Sequence, residues 1–298
     1  MEPRQLRDFL EVTRHGSFSA AARRLRRGQP SLSMAVAKLE RELGLRLFDR
    51  SRRIPALTPE GQRLTEMAKP LLQDWDNIPA RLREAFTSDI RGPVRIGAGE
   101  AAVLYLLPEP IRRFRKRHPD VEVIVRNQPV SNTLDMLRAG ELDAGLRSLP
   151  SPPADLYYRP WRTFDRMLIA PKGHPVLKTK HLTLTALADH PFVMPWLHST
   201  TRGLLERAFQ EHGLRYRVVV EAGGWEIIKQ YVAFGLGIAV VSACCLRPED
   251  THRLGIRSLR HLFPRDAYGV VTKRGRHLSP AARELIRDID PKFTPVTS

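Results

Sequence analysis

Between Ser17 and Arg53 the chain reads SFSAAARRLRRGQPSLSMAVAKLERELGLRLFDRSRR, and few folds accommodate that string. Ser17 is a good N-cap for a short helix carrying Phe18, Ala21, Ala22 and Leu25 on one face. Arg23, Arg24, Arg26 and Arg27 crowd its end, and Gly28 is expected to permit the reversal. Pro30 suits the first turn of a further helix, which continues through Leu32, Val36 and Leu39 to Leu43 and stops at Gly44. Upstream, Leu6, Phe9, Leu10 and Thr13 recur at helical spacing as far as Gly16. Three helices with a tight basic turn between the second and third have helix–turn–helix spacing, with the third in the reading position.

The first turn of that third helix offers Gln29, Ser31 and Ser33. Gln can pair bidentately with adenine, and Ser can bond either base type or a phosphate. After Gly44, LRLFDR and SRRIPAL read as two short extended runs around a turn, a wing. There Arg50, Arg52 and Arg53 would follow the phosphate backbone or reach the minor groove. The charge balance agrees. The 298 residues hold 49 Lys and Arg against 32 Asp and Glu, a net charge of +17. Residues 1–58 alone carry net +7, the densest share, which is the footprint of a polyanion binder.

Thr58-Pro59-Glu60 reads as a helix start, with an N-cap, Pro at N1 and an acid in the first turn. The helix is expected to run from Pro59 to about Phe86. Pro70 should kink it, and Pro79 should either kink it again or end it early. Leu64, Met67, Leu71, Leu72, Trp75, Ile78, Leu82 and Phe86 form an apolar stripe along it, the pattern of a dimer seam.

From residue 92 onward, strand-like and helix-like segments alternate, which implies an α/β region with mixed sheets. VRIGAG precedes a helix expected from about Leu104 to Arg117. Gly97 to Ala102 spells G-x-G-x-x-A, but the next strand ends in Arg126-Asn127 rather than in an acid for a ribose, so a dinucleotide is not expected. A polar turn, His198 to Arg202, precedes a helix over 202–212; hydroxyls and free N–H groups at a helix start accept an anion. The run Arg112, Arg113, Arg115, Lys116 and Arg117 reads as a solvated helix face. Cys244 and Cys245, adjacent in an apolar run, read as reduced core residues. The first residues hold no uninterrupted apolar segment and no stretch suits a membrane span, so a soluble cytoplasmic protein is expected. No hydrolase, zincin, C-x-x-C or P-loop motif is present, and the ten His lack ligand spacing; no catalytic residue, metal or cofactor is expected.

The stretch QLRDFLEVTRHGSFSAAARRL, with QPSLS, KLERELGLRLFDR and LTPEG after it, resembles the LysR-type transcriptional regulators of bacteria. The resemblance spans essentially the whole chain. It implies an N-terminal all-α winged helix–turn–helix over 1–58 plus a linker helix over 59–88. It implies next a C-terminal α/β, periplasmic-binding-protein-like effector region over 89–298, made of two subdomains. Subdomain I would take about 89–163 and 267–298, and subdomain II about 164–266, with crossovers near 161–165 and 265–268.

By resemblance, Gln29, Pro30 and Ser33 carry the recognition-helix contacts, and Arg50 and Arg53 those of the wing. Met34 stands where the family commonly has Arg, so one phosphate or base contact is missing, and Arg52 beside Arg53 is expected to compensate in part. Effector contacts fall on Gly99, Glu100 and Ala101, on Ser199, Thr200 and Thr201, and near Gly223 to Trp225. GGWEIIKQYVAFGLGIAVVS is similar to the sulfur-metabolism branch of the family, but Glu100 replaces the usual Ser or Thr and opposes an anion. The small-molecule effector expected is therefore one with an amine or hydroxyl donors, unless there is none. Expected partners are double-stranded DNA, a second copy through residues 59–86, two further copies through sensor contacts to make a tetramer, and RNA polymerase. The alternatives are a basic DNA-binding protein with little sequence choice and an effector-independent regulator.

Overall fold

The computed structural model describes residues 1–49, 56–86, 90–197 and 199–294. Two compact units divide the chain near residue 88.

The first unit opens with α1 (Pro3–His15), α2 (Phe18–Arg24) and α3 (Gln29–Leu43). Ser17 caps α2 by accepting the Ala20 N–H, and Gly16 and Gly44 end α1 and α3 with φ of 61° and 67°, the left-handed conformation glycine adopts freely. The reversal between α2 and α3 differs from expectation. Gly28 is extended (φ −68°), and Arg26 is the residue with positive φ (52°). Phe9, Val12, Ala21, Leu32, Val36 and Leu39 close the core of the three helices. Val12 holds a buried position, whereas Thr13 turns its hydroxyl back to the Phe9 carbonyl. Two short strands, β1 (Phe48–Asp49) and β2 (Ala56–Leu57), pair antiparallel and frame the wing. The Phe48 ring lies between Phe9 and Phe18, with centroids 5.4 Å from each, and so fixes the wing to the helices.

α4 (Pro59–Phe86) is one 28-residue helix through both Pro70 and Pro79. Each proline only deletes one backbone donor, leaving the Glu66 and Trp75 carbonyls without their i+4 partners. The apolar stripe splits in two. Leu64, Ala68 and Leu72 pack into the core of the first unit, while Met67, Leu71, Trp75, Ile78 and Leu82 are 50–61% exposed.

The second unit holds a five-stranded sheet, a three-stranded sheet and a two-stranded pair, with helices between them. β3 (Val94–Ala98) leads through a π-helical turn, Ala102–Leu106, to α5 (Pro108–Arg117), so Pro108 starts a fresh helix where one continuous helix was expected. β4 (Val123–Asn127), α6 (Val130–Ala139), β5 (Ala144–Ser148) and β6 (Leu156–Phe164) follow. β7 (Arg166–Pro171), α7 (Leu184–Ala188), β8 (Pro191–Pro195), α8 (Thr200–Glu211), β9 (Arg217–Ala222) and α9 (Trp225–Ala233) come next. β10 (Ala239–Ser242), β11 (Leu254–Ser258), β12 (Asp266–Lys273) and α10 (Pro280–Ile289) complete the chain. One sheet has the order β4-β3-β5-β12-β6, with β3 parallel to β4 and β5 and with β12 antiparallel to both its neighbours. A second has the order β10-β7-β11, and β8 pairs parallel with β9. The chain leaves the first sheet after Phe164, enters the second at Arg166, and returns between Ser258 and Asp266.

Most of the basic run on α5 is committed to structure. Arg113 donates to the Asp288 carbonyl, Arg117 pairs with the Asp288 carboxylate at 2.6 Å, and Arg115 donates to the carbonyls of Pro119 and Val121. Arg112 is exposed and pairs with Glu109 one turn earlier. Cys244 and Cys245 are free thiols, the second buried, with sulfurs 3.9 Å apart. Among the described residues no helix is long and apolar enough to cross a membrane.

Candidate nucleic-acid interface and effector cavity

Helix α3 presents its first turn outward. Gln29, Pro30 and Ser31 are exposed and Ser33 is half-buried. Two contacts orient this turn: Ser19 donates to Gln29 Oε1 at 3.4 Å, and Arg27 Nη2 donates to Ser31 Oγ at 3.2 Å. The other arm of Arg27, Nη1, lies 2.6 and 2.7 Å from the two carboxylate oxygens of buried Asp8. Arg27 is therefore spent on holding the turn against α1, whereas Arg23, Arg24 and Arg26 are exposed beside it. Met34, where a cation was expected from the resemblance, is 71% exposed on α3.

The wing is tied down at its base. Glu40 Oε1 accepts the N–H groups of Leu47 (2.8 Å) and Phe48 (3.3 Å). Thr58 donates its N–H to the Leu47 carbonyl and its hydroxyl to the Arg46 carbonyl, while its Oγ1 caps α4 by accepting the Gly61 N–H at 3.0 Å. Arg50, Arg52 and Arg53, expected at the wing tip, lie outside the described residues.

The second unit contains a cavity of about 500 Å³. Gly99, Glu100, Ala101, Ser199, Thr200 and Trp225 all line it. Thr201 does not: it is buried, and its Oγ1 accepts from Arg166 Nη1 at 2.6 Å, because the second residue of α8 turns inward where its neighbours face the cavity. His198 lies outside the described residues. Glu100 reaches from the turn after β3 to the start of α9, where its Oε1 accepts the Trp225 N–H at 2.8 Å. Gly224 (φ 102°) makes that approach feasible, since a β-carbon there would stand 3.2 Å from Glu100 Oε1 on a backbone L side chains rarely adopt. Burial raises the Glu100 carboxyl above its usual range; the Trp225 N–H opposes the shift and Glu226 adds to it.

Arg147 was not among the residues expected at this site. It is the fourth residue of β5, only 5% exposed, and lines the same cavity. Its Nη1 donates to the Gln128 carbonyl at 2.9 Å, and burial pulls the guanidinium down to about 10. A β-carbon at position 99 would lie 2.9 Å from Arg147 Nη1, so Gly99 is the residue that makes room for the cation. Trp196, Ile227 and Leu146 supply apolar wall, and Gly223 lets the Trp196 ring lie directly on the backbone.

Comparison with known proteins identifies the two units. Residues 3–62 match the bacterial regulatory helix-turn-helix family of LysR type, and residues 87–292 match the LysR substrate binding domain. The chain belongs to the LysR-type transcriptional regulators. It is similar to the RuBisCO operon transcriptional regulator of Allochromatium vinosum, 32% identical over 280 residues, covering 94% of this chain and 92% of that one. Full-length OxyR from Pseudomonas aeruginosa has a similar structure, with a TM-score of 0.71 and 25% identity over 97% of this chain and 93% of its own. A structure of full-length CbnR with its target DNA shares the fold, with a TM-score of 0.66 and 19% identity over 98% of this chain and 100% of that one. This LysR-type regulator is thus a DNA-binding protein with an effector-binding domain, and not an enzyme. The first-turn residues of α3 and the second unit's cavity are its two sites of interest.

Proposed function

We infer that this regulator reads double-stranded DNA through Gln29, Pro30, Ser31 and Ser33, holds the backbone through Arg50, Arg52 and Arg53, and is modulated by a small effector in the cavity lined by Glu100, Trp225 and Arg147. The observation that carries the reading is the outward first turn of α3, positioned by the Arg27 bond to Ser31 and anchored on buried Asp8. A turn held that firmly presents base-reading groups with little ordering cost. A second copy binds through the exposed face of α4, so that two reading helices meet a dyad-symmetric site. Tetramers built on contacts of the second unit, and an encounter with RNA polymerase, belong to the same reading. Effector binding would shift the relative angle of the two sheets in the second unit, and with it the spacing of the reading heads.

The test is selection of genomic fragments by the purified protein at physiological salt. A few intergenic fragments sharing an inverted repeat are expected, and uniform recovery of all fragments would overturn the sequence-specific reading. Gln29→Ala should flatten discrimination between specific and random DNA, while Arg53→Ala should weaken binding to both and lower the salt slope by about one.

A further inference from the structure

Resting on the reading of the cavity as the effector site, the cavity wall shows what kind of molecule it suits. Two opposite charges line one chamber without meeting. Arg147 is 95% removed from solvent, and its sole partner among the described residues is a neutral carbonyl, that of Gln128. Such a guanidinium is costly to bury without an anion, and it lines the cavity. Glu100 commits one oxygen to the Trp225 N–H, and its other oxygen has no donor among the described residues. No ion pair joins Arg147 to Glu100 among the described residues, although Gly99 sets them next to each other on the wall. Ser199 and Thr200 add hydroxyls at the start of α8, and Trp196 and Ile227 add apolar surface.

We propose that the effector is a zwitterion, an amino acid with an apolar side chain, whose carboxylate pairs with Arg147 and whose ammonium pairs with the Glu100 oxygen that Trp225 leaves open. A simple anion would satisfy Arg147 but meet the Glu100 carboxylate. A simple amine would satisfy Glu100 but meet the guanidinium. A molecule carrying both charges turns each repulsion into a charge-assisted hydrogen bond. The apolar body would then lie against Trp196 and Ile227. The chamber, at about 500 Å³, has ample room for it.

The experiment uses the full chain and calorimetric titration with the common amino acids, each matched with its deaminated acid and its decarboxylated amine. L-phenylalanine, 3-phenylpropanoate and 2-phenylethylamine form one such set. At least one amino acid should bind, about tenfold or more tighter than either of its matched halves. Glu100→Gln should weaken the amino acid and strengthen its acid, so that the two affinities converge. Arg147→Met should lose both, and Arg147→Lys should restore part of each. The ratio of zwitterion to acid is read within one protein, so partial unfolding of the Glu100 variant does not mimic the result. An acid that binds as tightly as its amino acid, or a ratio that Glu100→Gln leaves unchanged, overturns the proposal while the effector reading stands. If no panel compound binds but a small-molecule fraction of cell extract raises the melting temperature, the zwitterion is again excluded and the reading stands. If neither acts, both fail.

Discussion

Arg166 and Asp266 stand at the first positions of β7 and β12, where the chain crosses between its two sheets, and meet at 3.0 Å with each at most 5% exposed. One residue earlier on each crossing, Asp165 pairs with Arg265 at 2.9 Å. The two crossings therefore carry the same charges in opposite order and lock reciprocally. The inner pair has further partners: Asp266 accepts the Ser148 hydroxyl at 2.6 Å, and Arg166 donates to Thr201. Removing one member leaves the other charged and buried, so Asp266→Asn should cost about 3 kcal/mol, the low end for a broken buried pair. Arg265→Ala, on the less buried outer pair, should cost less, about 1 kcal/mol. Denaturant unfolding of the two variants checks the contrast, and equal losses would refute it.

Gly61 fixes how closely the wing approaches α4. A β-carbon there would collide with the Leu47 carbonyl oxygen and crowd the Leu57 side chain. The carbonyl belongs to backbone that also accepts the Thr58 N–H, so it has no freedom to retreat. Although alanine is the better helix former, Gly61→Ala should destabilise the first unit by about 1–3 kcal/mol through overpacking. The same change should loosen DNA binding on all sequences alike. A variant as stable as the parent in thermal unfolding would show that the wing shifts freely.

The exposed half of α4 predicts its own partner. Leu71, Trp75, Ile78 and Leu82 recur every three or four residues, each at least half exposed. Replacing Leu71 and Leu82 together by Glu removes two apolar anchors and introduces charge. At about 1.5–3 kcal/mol per buried leucine, the dimer should weaken at least a hundredfold. Sedimentation at micromolar concentration should show monomers, whereas Leu72→Glu, aimed at the core of the first unit, should instead lower the melting temperature.

The pattern of the sequence exposed the helices of the first unit because each announces its ends locally. Ser17 caps, Gly16 and Gly44 terminate, and Leu32, Val36 and Leu39 keep helical period. What it concealed depended on tertiary contact. Arg26 takes the left-handed conformation in a turn that also contains a glycine, because Gly28 is extended as the N-cap of α3. The stripe on α4 reads as one seam, since periodicity shows that Leu64, Leu71, Leu72 and Leu82 are apolar but not that Ala68 and Leu72 already have a core to enter. At the cavity, Glu100 and Trp225 were legible as turn residues next to glycines. Arg147 was not, because it sits inside the strand AGLRS, where an arginine looks like an ordinary edge residue and only the fold brings it under Gly99. Thr201 erred the other way: its turn is polar, but one of its hydroxyls serves Arg166 rather than the cavity.

Glu100 also gives the cavity a pH signature. Burial raises its carboxyl, against the opposing pull of the Trp225 N–H. A carboxyl raised on folding holds its proton more tightly in the folded than in the unfolded chain. Its contribution is therefore complete below the ordinary carboxylate value and is lost as pH rises through the raised one. Gln in its place accepts the same N–H and never ionises. Glu100→Gln should accordingly melt above the parent at pH 7, and the advantage should vanish below about pH 4, where both side chains are neutral. Thermal unfolding across that range decides the matter. A parent that gains on the variant as pH rises would mean that the charged bond to Trp225 outweighs the cost of burial.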